Sequence, residues 1–132
     1  MKLFVLLFSI IFSAAAAAEA TGGLRFFYCI HTEHSCDVTA GDVPVKSGNA
    51  SFVARRALSR KDDFVGFRDA DDTILQFYVD GTDSILVDMP IPNLKGSYGT
   101  HMNRAQALKL IARLSPPLSR YRADLKLEFV KW

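Results

Sequence analysis

The chain is short of the residues that usually announce a catalyst. Its 132 residues hold two cysteines, three histidines and one tryptophan. It contains no G-x-S-x-G elbow, no phosphate-binding P-loop, no H-E-x-x-H helix and no dinucleotide fingerprint. The serine-hydrolase, nucleotide, metalloprotease and NAD sites that these motifs build therefore lack their signature residues. An excess of one charge is missing too. With 16 basic and 14 acidic residues the net charge is +2, too balanced to argue for a nucleic-acid or anionic membrane surface. Repeats and low-complexity tracts are absent after the first 20 residues.

A long apolar run occurs only at the start, MKLFVLLFSIIFSAAAAAEA. Lys2 precedes a nearly unbroken apolar stretch from Leu3 to Phe12, and Ala18-Glu19-Ala20 has the small-x-small form of a signal-peptidase site. The apolar run is shorter than the roughly 20 residues that span a bilayer. The expectation is a signal peptide over 1–20, cleaved near Ala20, and a secreted or periplasmic single domain over 21–132. A chain of this size can build its own core.

Within that domain, Leu24 to His31 alternates as a strand, with Phe26, Tyr28 and Ile30 on one face. Thr39 to Asn49 is rich in turn formers and reads as a loop. Phe52 to Leu58 reads as a strand with Phe52, Ala54 and Leu58 inward, or as a short helix. Phe64 to Arg68 is a short strand, followed by the polar turn Asp69 to Asp72. Ile74 to Asp80 and Ser84 to Met89 alternate around a short turn and form a hairpin. Pro90 to Thr100 (PIPNLKGSYGT) has no period and reads as a loop of 11 residues.

Asn103 to Leu114 is a helix, with Ala107, Leu108, Ile111 and Leu114 on one stripe. Asn103 and Gln106 have capping-box spacing. Ser115-Pro116-Pro117 ends it. Tyr121 to Phe129 alternates strictly, apolar at odd positions and charged at even ones, and reads as a final strand. The fold class expected is α+β: an antiparallel sheet of about five strands, one C-terminal helix on a face, a final strand, and one disulfide.

The densest cluster of reactive side chains is Tyr28 to Asp37, YCIHTEHSCD. Cysteine and histidine ligate zinc, but C-x-H-x-x-H-x-C is unlike the paired C-x-x-C units of structural sites. Export favours oxidation, so Cys29 and Cys36 are expected as a disulfide, with no metal and no cofactor. A histidine pair, His31 or His34 with His101, could serve a small hydrolase such as a secreted ribonuclease, but no further residue pins such a pair to a phosphate. Asp69 to Asp72 lacks the spaced ligands of a calcium loop. Arg55, Arg56, Arg60 and Lys61 are followed at once by Asp62 and Asp63, which offset them. Asn49-Ala50-Ser51 matches the glycosylation sequon, read here as a chance match.

The balance points to binding rather than catalysis, with another protein as partner. Small periplasmic inhibitors and immunity proteins are similar in size, compartment and lack of catalytic motifs. Loops as long as Pro90 to Thr100 are commonly functional. This one offers Ile91, Leu94, Lys95 and Tyr98, with His101 just beyond, as contacts for insertion into a partner. No catalytic residue is assigned. The remaining alternative is a small-ligand or lipid carrier, with a pocket between sheet and helix.

Overall fold

The structure, a computed structural model, describes residues 23–34, 36 and 42–132. The expected signal segment and residues 39–41 of the expected first loop lie outside the described residues. Seven strands form one sheet: β1 (Arg25–Cys29), β2 (Val43–Pro44), β3 (Phe64–Arg68), β4 (Ile74–Gly81), β5 (Ser84–Ile91), β6 (Gly96–Met102) and β7 (Glu128–Lys131). Their spatial order is β2-β1-β3-β4-β5-β6-β7, and every pair is antiparallel. Three helices accompany them: α1 (Asn49–Ala57), α2 (Arg104–Ile111) and the short α3 (Tyr121–Asp124). The α+β class and the antiparallel sheet are as expected; the strands exceed five and the helices exceed one. No helix among the described residues is long and apolar enough to cross a membrane.

The central hairpin follows its alternation. Leu75, Phe77 and Val79 of β4 and Ile85, Val87 and Met89 of β5 are all buried on one face. Phe26 and Phe67 extend that face, with ring centroids 6.3 Å apart for Phe26–Phe67 and 6.0 Å for Phe67–Phe77. Helices α1 and α2 contribute Ala50, Ala54, Ala57, Ala107, Leu110 and Ile111 to the same core. Phe26, Phe67, Phe77 and Leu75 are at most 2% exposed.

Three segments depart from expectation. Phe52 to Leu58 belongs mainly to α1, the short helix the sequence left open, and not to the strand. Ala50, Ala54 and Ala57 recur at helical spacing and turn inward, while Phe52 is 63% exposed with the Arg56 guanidinium over its ring. The small inward residues suit a closely packed helix, and the alternation seen in sequence was incidental.

Pro90 to Thr100 is not a long loop. β5 runs on to Ile91, one 3₁₀ turn covers Pro92–Leu94, and β6 begins at Gly96. Lys95 takes the left-handed conformation (φ 50°) that closes the turn. Pro90 is tolerated because β4 pairs with β5 only as far as Gln76↔Asp88, which leaves one side of β5 free there.

The third departure is Tyr121 to Phe129. Leu118 and Tyr121 are buried and Leu125 is half-buried; the spacing of three and four is helical. The chain forms a 3₁₀ turn over Leu118–Arg120 and then α3. Only Glu128–Lys131 is strand, and all four residues are exposed. Position 121 and position 125 satisfy both periods, so the pattern alone was ambiguous. The expected capping box on α2 is present. Gln106 N donates to Asn103 Oδ1 (2.8 Å) and Asn103 N donates to Gln106 Oε1 (2.9 Å). Buried Asp69 anchors the polar turn, accepting from Asp71 N and Thr73 N at 3.0 Å each and from Leu118 N at 2.7 Å.

Candidate functional site

Three surfaces carry chemistry. The first is the turn after β1. Cys29 and Cys36 are joined by a disulfide, as the sequence suggested. Between them His31–Glu33 forms a 3₁₀ turn, closed by His34 at φ 54°. Cys29 pairs with Phe64, so the start of β3 lies directly against this turn. Asp63, 1% exposed, reaches it there. Its Oδ1 accepts the His31 backbone N–H at 3.0 Å and lies 2.6 Å from His31 Nδ1. The other face of the turn is held by Arg56 of α1, whose guanidinium pairs with Glu33. Glu33 raises the Arg56 pKa, mainly by accepting its hydrogen bond. The basic patch thus works partly as an intrachain anchor.

The second surface is the sheet face opposite the core. The register aligns Phe27, Gly66, Gln76, Asp88, Gly99 and Glu128 in one row across six strands. The Phe27 ring lies over Gly66, where an added Cβ would sit 2.2 Å from the ring. Near the other end, Gly99 separates Asp88 from Glu128 and leaves a groove of about 530 Å³, with His101, Ser97 and Lys126 also lining it. Burial pushes the Asp88 carboxyl up, and hydrogen bonds with Gln76 and Ser97 offset only part of the effect. Asp88 Oδ1 is buried and has no partner among the described residues.

At the groove's end His101 Nε2 lies 2.6 Å from Asp80 Oδ2. Burial raises the Asp80 pKa, but hydrogen bonds with Ser84 and His101 outweigh it and leave the group below its ordinary value. His101 stands four strands from Cys29 along the row Cys29–Phe64–Tyr78–Leu86–His101, about 19 Å at ordinary strand spacing. His31 and His101 each sit with a different carboxylate and do not share a site.

The third surface is the corner where β5, β6 and β7 meet. Leu94 (54% exposed) sits in the 3₁₀ turn, and Phe129 (42%), Val130 (62%) and Trp132 (68%) lie on β7 and just past it. Trp132 N donates to Lys95 O at 2.8 Å, which fastens the chain end to the turn. Tyr98 is half-buried beneath, its ring 5.2 Å from Phe129 and 3.8 Å from the Arg122 guanidinium. Ile91, Leu94, Lys95 and Tyr98 are therefore brought together. His101, at the far end of β6, is not: six residues of strand put it about 20 Å from Lys95.

Sequence reasoning missed Phe129, Val130 and Trp132. The signal was there in FVKW, where two adjacent apolar residues and a tryptophan break the alternation that precedes them. No family model, no curated protein and no solved structure matches this chain.

Proposed function

We propose that the protein is an exported, non-enzymatic binding domain of the inhibitor or immunity type, whose partner is another protein of the cell envelope. The observation that carries this is the exposed apolar end of the sheet: Leu94 at the hairpin tip, Phe129 and Val130 on opposite faces of the last strand, and Trp132 just past its end. Clustered exposed apolar side chains mark interaction surfaces, and tryptophan and tyrosine are frequent anchors of them. An edge strand also offers unpaired backbone groups to an incoming chain. The narrow 3₁₀ turn at Pro92–Leu94 projects the corner as the part that enters a partner's cleft, in the role first expected of a loop. A rigid hairpin tip loses less conformational freedom on docking than a loop of 11 residues would.

The test places a photo-crosslinking residue at position 95 and exposes full-length exported protein to envelope extract. One crosslinked partner is expected, its own activity falling when the parent chain is added. The double variant Val130→Asp/Trp132→Ala should lose both the crosslink and the inhibition, while Phe52→Ala on the distant helix keeps them. A crosslink indifferent to the double variant, or a partner whose activity is unchanged at saturation, overturns the proposal.

A further inference from the structure

The groups that the binding reading leaves unused are the buried Asp63, His31 and the two sulfurs. Sγ of Cys29, Sγ of Cys36 and a ring nitrogen of His31 all lie within 4.8 Å of one another. His31 Nδ1 and Nε2 are each 3.7 Å from Cys29 Sγ. A thiolate and an imidazole sharing one tetrahedral zinc, at the usual bond lengths, stand about 3.6 Å apart. Asp63 Oδ1 is 2.6 Å from His31 Nδ1. A hydrogen bond between Nδ1 and Asp63 leaves Nε2 as the ring nitrogen open to a metal, the arrangement that orients histidines bound to zinc. Asp63 is held in place by its burial and by the His31 backbone N–H, so the imidazole is positioned before any metal arrives.

We propose that the Cys29–Cys36 turn is a redox-gated zinc site. In the oxidised chain the sulfurs are bonded to each other and bind no metal. A dithiol reductant of the thioredoxin class supplies two electrons and two protons, breaks the Cys29–Cys36 bond and leaves as its own disulfide. The two thiols then release their protons as Zn²⁺ binds Cys29 Sγ, Cys36 Sγ and His31 Nε2, with water in the fourth position. A disulfide oxidant of the same class reverses the step. It takes two electrons from the thiolates and expels the ion. The turn is fit for this because its other fastenings, Asp63 to the His31 backbone and Arg56 to Glu33, do not involve sulfur.

The test is a Co²⁺ titration of the mature chain under excess phosphine reductant, followed by displacement with Zn²⁺. The reduced chain should bind one equivalent, with tetrahedral visible bands and thiolate-to-metal charge transfer; the oxidised chain should bind none. Cys36→Ser should abolish the charge-transfer band. His31→Ala should weaken binding at least 10-fold. Asp63→Asn should weaken it by roughly 10- to 100-fold with all three ligands intact. His31 is exposed, so its variant keeps the fold and decides the question even if Asp63→Asn does not. A reduced chain that binds no Co²⁺, or one whose affinity is the same in His31→Ala, overturns the proposal.

Discussion

Asp63 and Asp88 are both aspartates drawn below the surface of one sheet, and their partners set them apart. Asp63 takes a backbone N–H and an imidazole on one oxygen, which ties a strand to a turn. Asp88 keeps Oδ1 buried in the groove face, with no partner for it among the described residues, and its burial favours the protonated form. An acid whose folded-state pKa is raised holds its proton more tightly when folded. Its contribution to stability is therefore fully favourable below the unfolded pKa, declines as pH rises toward the raised value, and is level above it. Asp88→Asn removes that decline. Thermal melts should show the variant modestly more stable than the parent at pH 7, with the gain vanishing near pH 3, below the usual aspartate range of about 3.9. A variant less stable than the parent at pH 7 would mean that the charge is held by an interaction stronger than its desolvation.

Among the elements, β7 is the most delicately placed. It is a short edge strand with exposed side chains, and it lies against β6 only because Gly96 has no Cβ. A Cβ there would meet Val130 O at 2.5 Å and the Phe129 ring at 2.5 Å. The ring can rotate, but the backbone carbonyl cannot yield without moving the strand. Gly96→Ala should therefore detach β7 at a cost of about 1–3 kcal/mol, in the range of overpacking changes. Amide hydrogen exchange reads this directly: protection at 128–132 should be lost while β3, β4 and β5 keep theirs. Loss of protection across the whole sheet would instead make β7 part of the cooperative core.

The segments that sequence described well are those with one dominant local signal. β4 and β5 alternate without exception on a buried face, and α2 carries its own capping box. The segments it described badly are those where two periods coincide or where a side chain's partner is distant in sequence. Tyr121 and Leu125 fit both a strand and a helix, and burial of Leu118 decided for the helix. Phe52 fits an inward strand position until the alanines of α1 are seen to be the inward set. The candidate site was half legible. Ile91, Leu94, Lys95 and Tyr98 lie in one stretch of sequence, but β7 joins that stretch from more than 30 positions along the chain. No local pattern reports that pairing.

At the scale of the molecule, the disulfide is an addition to a fold that already has its core. Twenty-one buried hydrophobic residues form one cluster that includes all three helices and four of the seven strands. Closing the eight-residue loop from Cys29 to Cys36 contributes about 2.5 kcal/mol on the chain-entropy account. Reduction in the presence of a chelator should then lower the melting temperature by roughly 10 °C for a domain of this size, with far-UV circular dichroism retained at 25 °C. Unfolding at 25 °C on reduction alone would show that the turn holds more of the fold than its loop length implies.

The sequence by itself determined the fold class, the central hairpin, the capped helix and the pairing of the two cysteines, because each rests on short-range periodicity or on there being one partner to choose. Only the tertiary structure decided that the proline-rich stretch is a tight hairpin, that its exposed tip is joined by the last strand, and that Asp63 stands behind His31. These depend on strand order and register, which bring together residues with no local sign of one another.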